Sequence, residues 1–564
     1  MTEKWWQKAI VYQVYPRSFY DSNNDGIGDI QGIIEKLDYI ADLGVNMIWM
    51  NPIFMSPNDD NGYDISDFYA ISPEFGTMED VELLINEAHK RDIRVMFDLV
   101  MNHTSDEHPW FIESRSSKDN PHRDFYIWAD GRKNENGTGT VEPTNWEGFF
   151  GGSVWEKDEQ TDQYYMHLFS KKMPDLNWEN KAVREAIYDI ARFWADKGID
   201  GFRVDAIIHI GKDLTLPQGE NDGSRAYVLA DKYYANLPIV HDYVHEFHKE
   251  VLGPLQIMTV GEGSTAGIDE AKKYTAPERE EFDMLITFEH LSLDYDYSVT
   301  HVPPKWTHKK LDLLEFKSAM RRWQDGLYGH GWNTLYWNNH DMPRVVSRFG
   351  SNGVYREESA KMLATLMYLQ WGTPYILQGE ELGMTNAEYE DLSDYRDVEV
   401  FTLYNEAVVK GGHSHDEVMA MIHNRCRDNA RTPMQWSAEK YAGFSQHEPW
   451  MKVSQNYLKI NVALQQDDPY SVLNYYKKLL RLRQSKDVFI YGTFRFVLED
   501  DANIYAYIRE YNGEKVLVVC NFSGAERAIQ LEVPKGELLL ANYPDKNDDE
   551  LTVLRPYEAR VYQL

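Results

Sequence analysis

Eight short apolar runs recur between Val11 and Leu377, several of them separated by stretches with helical spacing. They are VYQVYP from Val11, NMIWMNPIF from Asn46, RVMFDLVMNH from Arg94, GFRVDAI from Gly201, IMTVGEG from Ile257, LITFEH from Leu285, TLYWNNHD from Thr334 and TPYILQGEE from Thr373. Near-continuous apolar strands that alternate with helices belong to a parallel sheet covered on both faces, and eight such units suggest closure on themselves. Between the runs, Ile30, Ile33, Ile34, Leu37 and Ala41 repeat at helical intervals, and Gly44 supplies a stop. Thr77-Met-Glu-Asp80 reads as a capping box for a helix whose buried face is Val81, Leu84, Ile85 and Ala88. The expected fold class is α/β, a (β/α)₈ barrel built from residues 1–103 and 174–487.

Two stretches break the rhythm. Residues 104–173 are long, polar and rich in Asn, Gly and Trp, too long for an ordinary loop, and are expected to form a small inserted domain. Met384 to Trp450 reads as irregular. After the helical pattern around Tyr475 to Arg483, the runs TFRFVL, IYAYIR and KVLVVCNF alternate with turn signals such as Asn512-Gly513. Residues 488–564 are therefore expected to be a C-terminal antiparallel β-sandwich domain.

Charge removes several function classes. Lys and Arg number 58 against 91 Asp and Glu, a net charge of −33, which repels phosphate backbones and anionic membranes and suits neutral substrates. Sixteen Trp and 37 Tyr fit stacking on sugar faces and core packing equally well. Two cysteines, Cys426 and Cys520, make no disulfide framework and fit a reducing compartment. The N-terminus lacks an apolar targeting core, so a cytoplasmic location without membrane or nucleic-acid partners is expected.

Carboxylates recur at the C-terminal ends of the proposed strands, where such barrels place their active sites. Asp98 ends the third, Asp205 the fourth and Glu262 the fifth, and Asp341 follows the seventh. Arg203, His103 and His340 stand beside them. A lone Asp at a strand end is usually a helix cap; four at equivalent positions point to acid–base chemistry.

The segments DLVMNH (98–103), GFRVD (201–205), GE (261–262) and NNHD (338–341), in this order and spacing, resemble the α-amylase superfamily of glycoside hydrolases. MPDLNW (173–178) and DNARTPMQW (428–436) are similar to its oligo-1,6-glucosidase and α-glucosidase branch. The resemblance covers essentially the whole chain. It implies a retaining mechanism with Asp205 as nucleophile, Glu262 as general acid and then base, and Asp341 as a third carboxylate that grips sugar hydroxyls. Glu262 must then stay protonated near neutrality, which apolar or like-charged surroundings favour, while Arg203 keeps Asp205 ionised.

The same resemblance gives His103 and His340 to the hydroxyls of one glucose. Tyr63 would stack under that ring, and Asp64 would bind its far hydroxyls with Arg431 as its partner. Phe150 and Phe169 would wall the pocket or pack in a core. A closed pocket of this kind implies exo action on a short α-glucoside oligosaccharide. Ala206 follows the nucleophile where α-1,6-preferring members carry Val. The smaller side chain leaves room for an α-1,4-linked second sugar, so maltose is expected to react faster than isomaltose, a bias of about 1–3 kcal/mol. Met173 and Gly263 stand where oligo-1,6-glucosidases usually have Gln and Met. An α-1,6 enzyme and a transglycosylating α-glucosidase are the alternatives, and a non-catalytic relative of transporter heavy chains is a remote one.

A separate signal lies near the N-terminus. Asp21, Asn23, Asp25 and Asp29 fall at positions 1, 3, 5 and 9 of a loop with Gly26 at position 6 and the Ile27 carbonyl between. That is an oxygen donor pattern for Ca²⁺, with Mg²⁺ as the alternative; Gly32 at position 12 excludes an EF-hand. The role would be structural, and no organic cofactor is expected.

Overall fold

The computed structural model describes residues 3–134, 139–221, 223, 225–299, 302–387, 389–531, 536–545 and 551–564. The chain divides into two densely connected units. One comprises Met1–Met50, Leu83–Val95 and Glu289–Leu564; the other comprises Asn51–Glu82 and Met96–Phe288. The α/β expectation is met: eight parallel strands belong to a single sheet of (β/α)₈ type. They are β1 (Val11–Val14), β2 (Met47–Met50), β3 (Arg94–Val100), β4 (Gly201–Asp205), β5 (Met258–Gly263), β6 (Met284–Thr287), β7 (Thr334–Leu335) and β8 (Thr373–Leu377).

In the first unit, β1 pairs with β2 (Val11 opposite Met47) and with β8 (Val11 opposite Tyr375). β7 joins β8 through only two residues. The helix Ile30–Glu35 is capped by Asp29, whose side chain accepts the Gly32 N–H. The helix Leu37–Leu43 ends on Gly44 at φ 94, a left-handed position that a β-carbon disfavours.

The segment that reads as irregular holds helices Val398–Tyr404 and His415–Arg425 around a core of Val400, Leu403, Val418, Ile422 and Cys426. Strands β9 (Thr493–Val497), β10 (Ile504–Tyr511), β11 (Glu514–Asn521), β12 (Glu537–Ala541) and β13 (Ala559–Gln563) form an antiparallel sheet in the order β9-β10-β11-β13-β12. Asn512 and Gly513, both at positive φ, make the β10–β11 turn, matching the twist of the strands they join. Buried Arg509 ties this sheet to the rest of the unit by donating to the carbonyls of Leu369 and Phe489.

In the second unit, β4 pairs with β3 and β5, and β5 with β6. Thr77 and Asp80 exchange hydrogen bonds at the start of the helix Met78–His89, as a capping box does. After β3 come the helix Pro109–Ser116 and a small antiparallel sheet of Trp128–Ala129, Gln163–Met166 and Trp155–Asp158. Their core of Ile127, Trp146, Val154, Trp155 and Met166 also takes in Ala230 and Tyr234, which lie beyond β4. Among the described residues, no helix is long and apolar enough to cross a membrane.

Candidate active site

Arg203 organises a cluster of carboxyls in the second unit. Its place on β4 lies opposite Asp98 of β3 and Val260 of β5. The side chain is 1% exposed. Nη1 donates to Asp98 Oδ1 at 2.8 Å and to Asp205 Oδ1 at 2.5 Å, and Nη2 meets Glu262 Oε1 at 2.8 Å. Two carboxyls on one planar guanidinium have their nearest oxygens no more than about 8 Å apart, inside the separations that glycosidases use. Burial works against the Arg203 charge, and Glu262, Asp98 and Asp205 outweigh it, so the guanidinium is held protonated. Besides this cation, Glu262 contacts the Ala206 N–H, which donates to Oε2 at 3.0 Å.

Ala206 occupies the left-handed region at φ 45 and ψ 33. A non-glycine residue there costs on the order of 1 kcal/mol, and in this conformation its N–H reaches Glu262. Its methyl group is buried. Gly263 leaves little room on the other side, since a β-carbon would stand 2.7 Å from Leu285 Cδ2.

Tyr63 is buried; its hydroxyl accepts from Asn51 and donates to Asp98 Oδ2 at 3.3 Å. Asp64 takes hydrogen bonds from the N–H groups of Asp59 and Asp60 and from the Ser56 hydroxyl. Burial pushes it up to about 6, against those donors. The carboxyl is thus ionised above pH 6 and protonated below. Because this value lies above the unfolded one, the penalty for burying its charge is present above pH 6 and relieved as the pH falls. If Asp64 binds sugar hydroxyls, as the resemblance implies, its protonated form accepts fewer of them. KM is expected to rise several-fold between about pH 7 and 5, and the KM of Asp64→Asn is expected to be flat over that range in initial-rate measurements.

His103 is buried and pushed down to about 4 by desolvation, so it is a neutral imidazole at pH 7. Its ring lies 5.3 Å from Phe169, which in turn contacts Phe150 at 5.8 Å and Phe149 at 5.3 Å. Phe149 and Phe169 pack on the insertion's core.

Sequence reasoning missed Lys212. Its buried ammonium donates to Asn102 Oδ1 at 2.7 Å and lies 2.9 Å from Asp175 Oδ2. It thereby ties the DLVMNH segment to MPDLNW. The lone charge in AIIHIGK was the available signal. Lys212→Met leaves Asp175 buried without its cation and is expected to lower stability by about 3–5 kcal/mol in urea unfolding.

The first unit carries the remaining motif. Asp341 Oδ1 accepts from Arg431 Nη2 at 2.9 Å and from Arg427 Nη1 at 3.3 Å. His340 Nε2 lies 3.2 Å from Asp341 Oδ2, and its Nδ1 lies 2.8 Å from Gln13 Nε2. The sequence pairs Arg431 with Asp64; in the structure Arg431 grips Asp341 and the His340 carbonyl. Burial and Arg427 oppose the Arg431 charge, and Tyr15, Asp397 and Asp341 more than offset them. Arg427, also missed, is anchored by Asp397 through Nε at 3.0 Å and Nη2 at 2.6 Å.

In the N-terminal loop, Asp21 accepts the N–H groups of Asn24 and Gly26, Asn23 that of Asp25, and Asp25 that of Ile27. Asp29 bonds Ser22 and Gly32 and acts as a helix cap. Among the described residues no three His, Cys, Asp or Glu side chains converge on a metal position. The oxygens of Asp21, Asn23, Asp25, Asp29 and the Ile27 carbonyl are nonetheless a hard donor set, which fits Ca²⁺ or Mg²⁺ and not a thiophilic ion.

Comparison with known proteins places this geometry. Residues 13–492 match the α-amylase catalytic domain and residues 494–561 the maltogenic amylase C-terminal domain. The chain is 51% identical to the oligo-1,6-glucosidase of Parageobacillus thermoglucosidasius over the full length of both. It is 47% identical to the trehalose-6-phosphate hydrolase of Bacillus subtilis over 99% of this chain and 98% of that one. Among solved structures, the isomaltulose synthase of Klebsiella superposes with a TM-score of 0.94 at 40% identity, covering all of both chains. A carboxyl pair on one buried arginine, at the ends of adjacent parallel strands, thus belongs to a chain that is a member of the α-amylase family of glycoside hydrolases.

Proposed function

We propose that the protein is an exo-acting, retaining α-glucosidase that releases glucose from the non-reducing end of short isomaltose-type oligosaccharides. The observation that carries the chemistry is the Arg203 guanidinium, which brings Asp205 and Glu262 together from neighbouring strands. Retaining chemistry requires Glu262 to carry a proton while Asp205 is ionised. Glu262 gives that proton to the glycosidic oxygen while Asp205 attacks the anomeric carbon and the C–O bond breaks. Glu262 then takes a proton from water, whose oxygen displaces Asp205. Asp341, held by Arg427 and Arg431, accepts hydroxyl hydrogen bonds from the glucose, and Tyr63, Asp64, His103 and His340 are the further residues to which the resemblance gives sugar contacts.

Linkage rests on two unequal supports. Relatives named oligo-1,6-glucosidase run at 48–51% identity across the whole chain. A second reading, α-1,4 cleavage of maltose, rests on the small side chain of Ala206 beside the acid, a single contact worth about 1–3 kcal/mol. Initial rates on isomaltose, maltose, sucrose and trehalose 6-phosphate separate them. Isomaltose is expected to be fastest, and Ala206→Val is expected to raise its lead over maltose. Maltose as the fastest substrate would overturn the linkage, and glucosyl transfer exceeding hydrolysis at high substrate concentration would make the enzyme a transglycosylase.

A structural Ca²⁺ or Mg²⁺ held by Asp21, Asn23, Asp25, Asp29 and the Ile27 carbonyl is part of the proposal. It supplies charge neutralisation to the loop and no reaction step. Chelation is expected to lower Tm by several degrees, with activity of the still-folded enzyme retained; an unchanged Tm removes the cation. A cytoplasmic setting is supported by two buried, unpaired thiols, Cys426 and Cys520.

A further inference from the structure

A buried acid pair at the end of the eighth run, TPYILQGEE, has no part in the chemistry described above. Glu380 and Glu381 follow β8 and are 2% and 0% exposed. Glu380 Oε1 accepts from the Tyr368 hydroxyl and from Tyr476 at 3.0 Å, and Oε2 accepts from Asn338 Nδ2 at 2.5 Å. Glu381 Oε1 accepts from Tyr12 at 2.7 Å and Tyr39 at 2.6 Å, while its other oxygen has no partner among the described residues. Burial works against the Arg344 charge, and the charges of Glu381 and Glu380 favour it. Two adjacent carboxyls in a dry interior are costly, and an apolar pair would pack there more cheaply.

A route leads from this cluster to Asp341. It runs through Asn338, whose Oδ1 accepts the Val345 N–H at 2.8 Å. That bond closes the loop 338–345, which carries His340 and Asp341, and Glu380 fixes the amide that makes it.

We propose that Glu380 is a positioning residue for Asp341, acting through Asn338 and the loop it closes. This rests on reading Asp341 as a carboxylate that grips the sugar. Glu380→Met keeps the bulk and removes the acceptor. In the full chain, kcat is expected to fall at least about tenfold with KM changed less than about threefold, because small misplacements at a reacting centre act on the transition state. The inhibition constant of 1-deoxynojirimycin, a cationic sugar mimic, is expected to rise with the loss, and that of glucose to stay put.

Glu380→Gln, whose carbonyl can again face Asn338, is expected to restore most of kcat. If Glu380→Met fails to fold, Asn338→Ser cuts the same link and carries the same expectation. Asp341→Asn is measured alongside, with the double variant. A double loss no larger than that of Asp341→Asn alone supports the coupling. A lowered Tm with kcat and the inhibition constant within about twofold of the parent overturns the positioning role. An active Asp341→Asn instead removes the reading of Asp341 on which it rests.

Discussion

Asp205→Ala is expected to lose kcat/KM on isomaltose by about four orders of magnitude or more, with its fold intact. Without the carboxylate there is no group to form the glycosyl-enzyme, and the remaining interactions bind the sugar without breaking the bond. Azide separates this role from that of Glu262. In Asp205→Ala, azide entering from the vacated face of an activated α-glucoside gives the β-glucosyl azide by one inversion. In Glu262→Ala the glycosyl-enzyme still forms when the leaving group needs no proton, and azide intercepts it to give the α-azide. Exchanged products would swap the two assignments; rescue of neither variant would remove both.

Arg203→Lys is expected to have the second-largest effect, on stability and rate together. The native side chain serves Asp98, Asp205 and Glu262 through two nitrogens. An ammonium is a point charge without the planar fork, so at least one buried carboxyl loses its donor. The expected loss is about 3–5 kcal/mol in urea unfolding. kcat is expected to fall about a hundredfold or more, because the nucleophile and acid lose their common support. A stable variant with full activity would show that the shared arginine is incidental to the carboxyl geometry.

What the sequence made legible follows from local chemistry. Strands β1 to β8 announce themselves because a parallel sheet buried on both faces needs unbroken apolar runs. The Thr77–Asp80 box, Gly44 and Asn512-Gly513 each solve a backbone problem within a few residues, so their chemistry is readable in place. The carboxyls at strand ends were legible through their motifs.

Residues whose meaning lies in distant partners were not legible. Lys212 reaches 110 positions back to Asn102, Arg427 reaches 86 to Asp341, and Tyr12 reaches 369 forward to Glu381. Residues 230–234 complete the insertion's core from beyond β4 without any local sign of it. The helices between Met384 and Trp450 were hidden because their buried face is assembled with Val302 and Trp306, far upstream. Asp29, which reads in sequence as a cation ligand, also caps the helix Ile30–Glu35, a role its position in the loop pattern did not announce.

Proton NMR of the glucose released from p-nitrophenyl α-glucoside, whose leaving group is not a sugar, offers the sharpest check, read before mutarotation scrambles it. Two successive displacements at one carbon return the starting configuration, so α-glucose should appear first. Initial β-glucose would mean a single attack by water, and Asp205 could not then be the group that bonds to the sugar.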